Sequence, residues 1–304
     1  MPRISADNIK GLKRLGSVAF GWISQVLWSP SGDMLAVCGG DGIAVYVDAF
    51  GGRPRFRLAG QSAPVKGIAF DPAGGGLVSV GADTALRLWT CSEDGLLERS
   101  SACGHGSSVD HVAYSPDGSL IATGSADHTI RLWHARSLKT EKALRGHADE
   151  VTSLAFDQSG RLLFSASRDG TIRVWDLLGS NKSALLGQHE DWVREIALSP
   201  DGSFLASACK DGTIRIWNLR VSAPPQTLPG HPDGADTVAF SRDGSLLASG
   251  GRDNMLRFWD LGAGRLRRTE SAHTRPVLSL APNPAGTMLA SGAGDNRILL
   301  WAIR

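Results

Sequence analysis

Six tryptophans, Trp89, Trp133, Trp175, Trp217, Trp259 and Trp301, stand 44, 42, 42, 42 and 42 residues apart, and each closes a run like the DGTIRVW that ends at Trp175. A fixed period of this length marks a repeat protein, in which each unit is too small to bury its own apolar surface and neighbours stack into one continuous core. A turn glycine counts the same units at Gly32, Gly74, Gly118, Gly160, Gly202, Gly244 and Gly286, with steps of 42, 44, 42, 42, 42 and 42. It finds one unit more than the tryptophans do, and Tyr46 holds the vacant place. Seven such units use up nearly all of the 304 residues. The sequence therefore predicts a single domain with residues 1–18 ahead of repeats near 19–59, 60–103, 104–145, 146–186, 187–229, 230–271 and 272–304.

The unit over 146–179 reads GHADEVTSLAFDQSGRLLFSASRDGTIRVWDLLG. Its runs VTSLAF, LLFSAS and TIRVW are apolar or β-branched, four to seven residues long, and bounded by Gly, Asp and Ser, which is the pattern of strands. A fourth run, TEKALR ahead of Gly146 or KSALL ahead of Gly187, is more polar and suits an outer strand with one side in water. The glycine of the first turn fits a backbone of positive φ. In the second turn Asp127, Asp169, Asp211, Asp253 and Asp295 are followed by His, Gly, Gly, Asn and Asn, types that tolerate the left-handed region. Thr84, after Asp83, breaks that rule and is expected to be strained or to use another turn. Four strands repeated seven times call for a radial stack of blades.

Lys plus Arg number 32 against 30 for Asp plus Glu, so no global field selects nucleic acid, a membrane or an acidic substrate. The cysteines, Cys38, Cys91, Cys103 and Cys209, lack metal-site spacing and are expected as free thiols. No segment approaches 18 consecutive apolar residues and the first residues lack a secretory apolar core, which points to the cytoplasm without membrane insertion.

The succession GH, then SPDG (115–118 and 199–202), then LASGSxDGTIRxW, in register five times, resembles the signature of the WD40-repeat family over essentially the whole chain. The resemblance implies an all-β, seven-bladed β-propeller with four antiparallel strands per blade. It also implies that an N-terminal outer strand, from about 8–17, closes the ring in the last blade, whose third strand ends near Arg304. In this family each blade holds a hydrogen-bonded tetrad, which falls here on His105, Thr123, Asp127 and Trp133, and on His147, Ser165, Asp169 and Trp175. It continues with His189, Ser207, Asp211 and Trp217, with His231, Ser249, Asp253 and Trp259, and with His273, Ser291, Asp295 and Trp301. The second repeat has Gln61 in place of the histidine but keeps Ser79, Asp83 and Trp89; the first, with Ala19, Ala36 and Tyr46, has lost the tetrad.

The His/Asp/Ser sets superficially suggest a catalytic triad, but they recur once per blade and so lie spread around a ring, whereas catalysis and metal binding need convergence. No unique polar residues are read as converging on the channel, and no phosphate loop or nucleophile motif occurs. No catalytic residue, cofactor or metal is predicted. His111, His128 and His134 are expected in turns or at the surface, and Arg87, Arg131, Arg173, Arg215 and Arg257 in packing between blades.

Function belongs where the repeats differ. By position, the partner-binding surface implied by the resemblance carries Trp22, Lys66, Glu150, Arg168, Trp192, Arg194, Lys210 and Arg252, an aromatic and cationic set of the kind enriched at interface hot spots. A second asymmetry, Arg53, Arg55 and Arg57 with Arg265, Arg267 and Arg268, forms a basic rim beside Lys10, Lys13 and Arg14; it reads as edge protection or as a surface for an acidic partner. The expectation is a monomeric, non-enzymatic scaffold for protein or peptide partners, with nucleic acid disfavoured. The alternatives are a channel-site enzyme or small-ligand binder, and a sensor domain of a larger signalling assembly.

Overall fold

Six repeats contribute three consecutive apolar strands and one polar strand, the seventh contributes three, and antiparallel hairpins join consecutive strands into small twisted sheets. A computed structural model describes residues 1–47, 53–58, 63–92, 95–179 and 183–303. Among them are seven four-stranded antiparallel sheets and a single 3-10 turn at Ile9–Gly11. The architecture is a seven-bladed β-propeller. In the fourth blade, for example, Val151–Phe156, Leu162–Ser167, Thr171–Asp176 and Ser183–Gln188 run from the central axis outward. The second strand is buried along almost its whole length, while the outer strand has no buried residue, which matches the polarity of the two sequence runs.

The ring closes through the seventh blade. Leu12–Ala19 pairs antiparallel with Arg297–Ile303, from Leu12 opposite Ile303 to Ala19 opposite Arg297. Ile9, Leu12 and Val18 are buried in this junction, and Arg268 reaches across from the sixth blade to donate to the carbonyls of Ile9, Lys10 and Leu12. Without this strand the seventh blade would present an unpaired edge. The predicted end of the third strand at Arg304, like the substitution at Gln61, lies outside the described residues.

All seven first-turn glycines have positive φ, between 68° and 79°. In the second turn Thr84 takes φ 66°, matching His128 at 67° and Asn254 at 66°, so the hairpin imposes its geometry even on a β-branched residue, at a cost in strain. The core is a set of clusters that straddle neighbouring sheets: Trp175 packs with Ala122, Ile130, Leu132 and Leu144 of the third blade and with Val151, Leu154 and Leu163 of its own. Trp28 is buried as the core reading anticipates, and its indole donates to the Ala281 carbonyl of the adjacent blade at 3.1 Å. The four cysteines are free. Among the described residues no helix is long and apolar enough to cross a membrane.

Candidate partner-binding face around the central channel

One irregularity recurs in every blade. The pairing of first and second strands slips by one residue after Ile23, Val65, Val109, Val151, Val193, Ala235 and Val277. The extra residue of each bulge is Ser24, Lys66, Asp110, Thr152, Arg194, Asp236 and Leu278 in turn. A bulge re-aims side chains that a regular strand would send to alternate faces. All seven of these residues line one cavity of about 340 Å³ at one mouth of the channel, together with Trp22, Ile23, Arg168, Trp192 and Arg252.

Immediately below lies a second ring that the sequence reading missed: Gln25, Gly67, His111, Ser153, Glu195, Thr237 and Ser279, spaced as the turn glycines are. Several of these stitch blade to blade. The carboxamide oxygen of Gln25 accepts the Ile68 N–H at 2.7 Å, Ser153 Oγ that of Ile196 at 3.3 Å, Glu195 Oε2 that of Val238 at 2.9 Å, and Ser279 Oγ that of Val26 at 3.1 Å. In the bulge ring, the hydroxyls of Ser24 and Thr152 donate to the Val65 and Val193 carbonyls, both at 2.6 Å.

Toward the periphery, each of five blades holds one histidine between a hydroxyl and a carboxylate. His147 places Nε2 2.7 Å from Ser165 Oγ and Nδ1 3.0 Å from Asp169, while the Trp175 indole donates to the same Ser165 Oγ at 2.9 Å. His105, Thr123, Asp127 and Trp133 repeat this arrangement, as do His231, Ser249, Asp253 and Trp259, and His273, Ser291, Asp295 and Trp301. In the fifth blade Nδ1 of His189 stands 3.6 Å from Asp211, although Ser207 and Trp217 keep their places. The second blade retains the Trp89 bond to Ser79 at 2.8 Å. The first buries Tyr46 among Val18, Phe20, Ile23 and Leu35, an apolar substitute for the missing staple.

The sequence unit behind this geometry is matched by a known family. The model of the WD domain, G-beta repeat, fits residues 14–46, 52–90, 98–134, 138–176, 180–218, 222–260 and 264–302. This chain belongs to the WD40-repeat family. No curated protein matches it. Each match in the WD40 chain is offset from a blade: 138–176 takes in Thr140–Arg145, the outer strand of the third blade, and then the three inner strands of the fourth.

The WD40 propeller gathers its candidate residues in linked groups. Lys66 sits over the Trp22 ring at 5.5 Å, and Trp192 carries two cations, Arg168 at 4.6 Å and Lys210 at 4.1 Å. Such contacts hold long cationic side chains upright beside an aromatic surface. Glu150 pairs with Arg168 at 2.9 Å and Asp191 with Lys210 at 3.3 Å. Arg194 meets Asp236 at 2.6 Å, and Arg252 approaches the same carboxylate at 3.5 Å.

This mouth corrects one expectation, because unique polar residues do converge on the channel. A repeat offset reports position in the unit but not the inward turn that the bulge gives both residues. His111 is a second correction: it is neither in a turn nor on the surface but lines the channel, and enclosure lowers its pKa to about 4. Burial likewise pushes Glu195 up to about 7, with the neighbouring Asp236 charge adding to the effect. Burial also raises the Asp236 carboxyl above its ordinary range, against the pull of Arg194 and Arg252.

Of the repeated arginines, Arg87 and Arg257 pair with the tetrad-position aspartates Asp83 and Asp253 at 2.8 and 2.5 Å, Arg173 donates to Ser183 of its own sheet at 2.9 Å, and Arg215 reaches the Gln188 carbonyl of the preceding blade. Arg131 and Arg173 also lie against Gly104 and Gly146, which follow the outer strands of the preceding blades. His128 does occupy a turn, and His134 is exposed beside Glu141. Of the basic rim, Arg53, Arg55, Arg57 and Arg265 are exposed, whereas Arg267 is paired with Asp260 at 2.7 Å and Arg268 is occupied by Glu270 and the closing strand.

His189, Cys209 and Asp211 offer ligand atoms within 4.8 Å of one another, the one such cluster among the described residues. Burial pushes the Cys209 thiol up to about 12, and Sγ donates to the Asp191 carbonyl while accepting the Asp211 N–H. Ser125 and Ser167 accept the same N–H in the third and fourth blades. Cys209 thus fills a hydroxyl's place in the hairpin as a protonated thiol.

Proposed function

We propose that the mouth of the channel lined by the bulge residues is a rigid docking platform for a protein or peptide partner, with Trp22 and Trp192 as its apolar anchors. The observation that carries this reading is the pair of tryptophans off the repeat register. Trp22 is 43% exposed, whereas the seven tryptophans other than Trp22 and Trp192 are all buried. A large exposed aromatic flanked by cations, at the rim of a preformed concavity built by all seven blades, is the composition of an interface hot spot. Members of the WD40 family generally serve as non-enzymatic interaction scaffolds. The channel chemistry supports that role here: Asp236 is ion-paired with Arg194, and Glu195 accepts the Val238 N–H, so both carboxyls are engaged in tying the fifth blade to the sixth.

The test is a peptide library selected on the wild-type chain, followed by affinities for a Trp22→Ala, Arg168→Ala, Trp192→Ala variant. Hot-spot losses of about 2 kcal/mol or more per anchor predict at least roughly 30-fold weaker binding with melting unchanged. Selected peptides that bind the variant as well as the wild type would remove this face from consideration.

A further inference from the structure

Two positions after the turn glycine, six repeats carry a bulky apolar residue, Met34, Leu120, Leu162, Phe204, Leu246 or Met288; the second repeat carries Gly76. The consequence is a cleft of about 290 Å³ between the second and third blades, at the end of the blades opposite the channel mouth. Leu88, Trp89, Tyr114 and Ala135 form its apolar lining, and Arg99 and Arg136 stand at its lip.

The propeller itself demonstrates what such a cleft accepts. Between the sixth and seventh blades the corresponding space is occupied by the chain's own first residues. Ile4 is buried against Leu246 and Phe258, its N–H donates to the Gly286 carbonyl at 2.7 Å, and the Ala6 N–H donates to Ser245 Oγ at 3.2 Å. Only about 20 Å³ remains free there. By repeat position Gly76 replaces Leu246, Leu88 replaces Phe258, and Gly118 stands where Gly286 accepts the Ile4 N–H. The empty cleft therefore offers the same seat enlarged by most of a leucine side chain, which Ile4 would underfill.

Its charge is also defined. Asp71 and Asp117 line the inner wall and are each held by their own turn, accepting the Ala73 N–H at 2.9 Å and the Ser119 N–H at 3.1 Å, so the charges left at the lip are those of the arginines. Arg99 and Arg136 are exposed and form no ion pair among the described residues. Leu97, 60% exposed, pairs with Thr90 of the lining; residues directly opposite in an antiparallel pair share a face, so it extends the apolar surface at the lip.

We propose that this cleft docks an extended segment of another protein, bearing one bulky apolar side chain (Phe, Trp or Leu) flanked by acidic residues, seated as Ile4 is seated on the far side of the ring. The chain's own leading segment already fills its own site, so the occupant is a different protein. This site is independent of the channel mouth.

The probe is a fluorescein-labelled peptide copying residues 1–8 with Arg3→Glu and Ile4→Trp, read by anisotropy against the full chain, with an Ile4→Gly peptide as comparison. Gly76 is unsuited to blocking, because a Cβ there would meet the Trp89 carbonyl oxygen at 2.2 Å; Gly75 has nothing within 4 Å of that position, so Gly75→Trp closes the lip without strain. The expected result is that the Trp-bearing peptide binds at least tenfold more tightly than the Gly-bearing one. Gly75→Trp should weaken it at least tenfold with melting unchanged, and Trp192→Ala should leave it as it is. If Gly75→Trp melts early, Gly75→Glu, which repels the acidic flanks, replaces it under the same criterion. Equal binding of the two peptides, or retention by the blocked chain, as when the probe enters the sixth–seventh cleft, would overturn the proposal. So would a dimer of the wild type that Gly75→Trp dissociates, since the occupant would then be a second copy.

Discussion

Trp175 offers the sharpest test of how the blades are held. Its ring is 1% exposed and packs against residues of two neighbouring blades, with its far edge on Gly146, where a Cβ would stand 3.1 Å from Cη2. Burying a tryptophan removes roughly 150–250 Å² from water. At about 25 cal/mol per Å² that is worth roughly 4–6 kcal/mol, and truncation of buried Phe or Trp to Ala costs about 3–5 kcal/mol. The indole bond to Ser165 adds about 1 kcal/mol at most, because Ser165 Oγ keeps His147 as a partner. Trp175→Ala should therefore lose about 4 kcal/mol, and Trp175→Phe, which keeps most of the packing but not the N–H, about 1–2 kcal/mol. Urea unfolding followed by far-UV circular dichroism measures both. At roughly 2 °C per kcal/mol for a chain of this size, the alanine variant should also melt about 8 °C lower. If both variants cost the same, the N–H and not the packing would carry the blade junction. If neither costs as much as about 1 kcal/mol, the tetrad is not a staple at all.

Two further outcomes follow from the channel and the closure. Glu195 has its carboxyl raised from 4.5 to about 7, so the stability it contributes is full below pH 4.5 and is lost as pH rises through 7. Glu195→Gln, whose carboxamide oxygen still accepts the Val238 N–H, should make the chain more stable at pH 8 by about 1–3 kcal/mol and change little at pH 4.5; an identical pH profile for variant and wild type would refute the assignment. Deleting residues 1–18 removes four buried apolar side chains, Ile4, Ile9, Leu12 and Val18, at about 1.5–3 kcal/mol each. The deletion should lower melting by more than about 10 °C or prevent folding, as scanning calorimetry would report, and unchanged melting would contradict closure by this strand.

What was legible in the sequence is what repeats with the same chemistry. The tetrads, the turn glycines and the four-run unit keep residue type as well as spacing, so the blade count could be read before any coordinates, while the closing strand was implied only by the resemblance to WD40 repeats. The ring of Gln25, Gly67, His111, Ser153, Glu195, Thr237 and Ser279 keeps the spacing but not the type, so nothing announced it. Only the bulge turns both it and the residues before it toward the axis. The basic rim read as one stretch of free charge, yet Arg268 has spent its donors on the closing strand. Nor did the sequence show that Ile4 is a plug, because an isolated isoleucine ahead of a strand has no periodicity to reveal its seat.

Because the strand over Leu12–Ala19 finds its partner at Arg297–Ile303, the ring is completed by pairing a segment that precedes all seven blades in sequence with the third strand of the last. Every other sheet is assembled from residues close in sequence, so six blades can form in order as the chain emerges while the strand over Leu12–Ala19 waits unpaired. Closing so large a loop is entropically slow. The interval between the sixth blade and that final pairing is when this protein exposes a bare sheet edge, and it sets the time during which a chaperone or a second nascent chain can intervene.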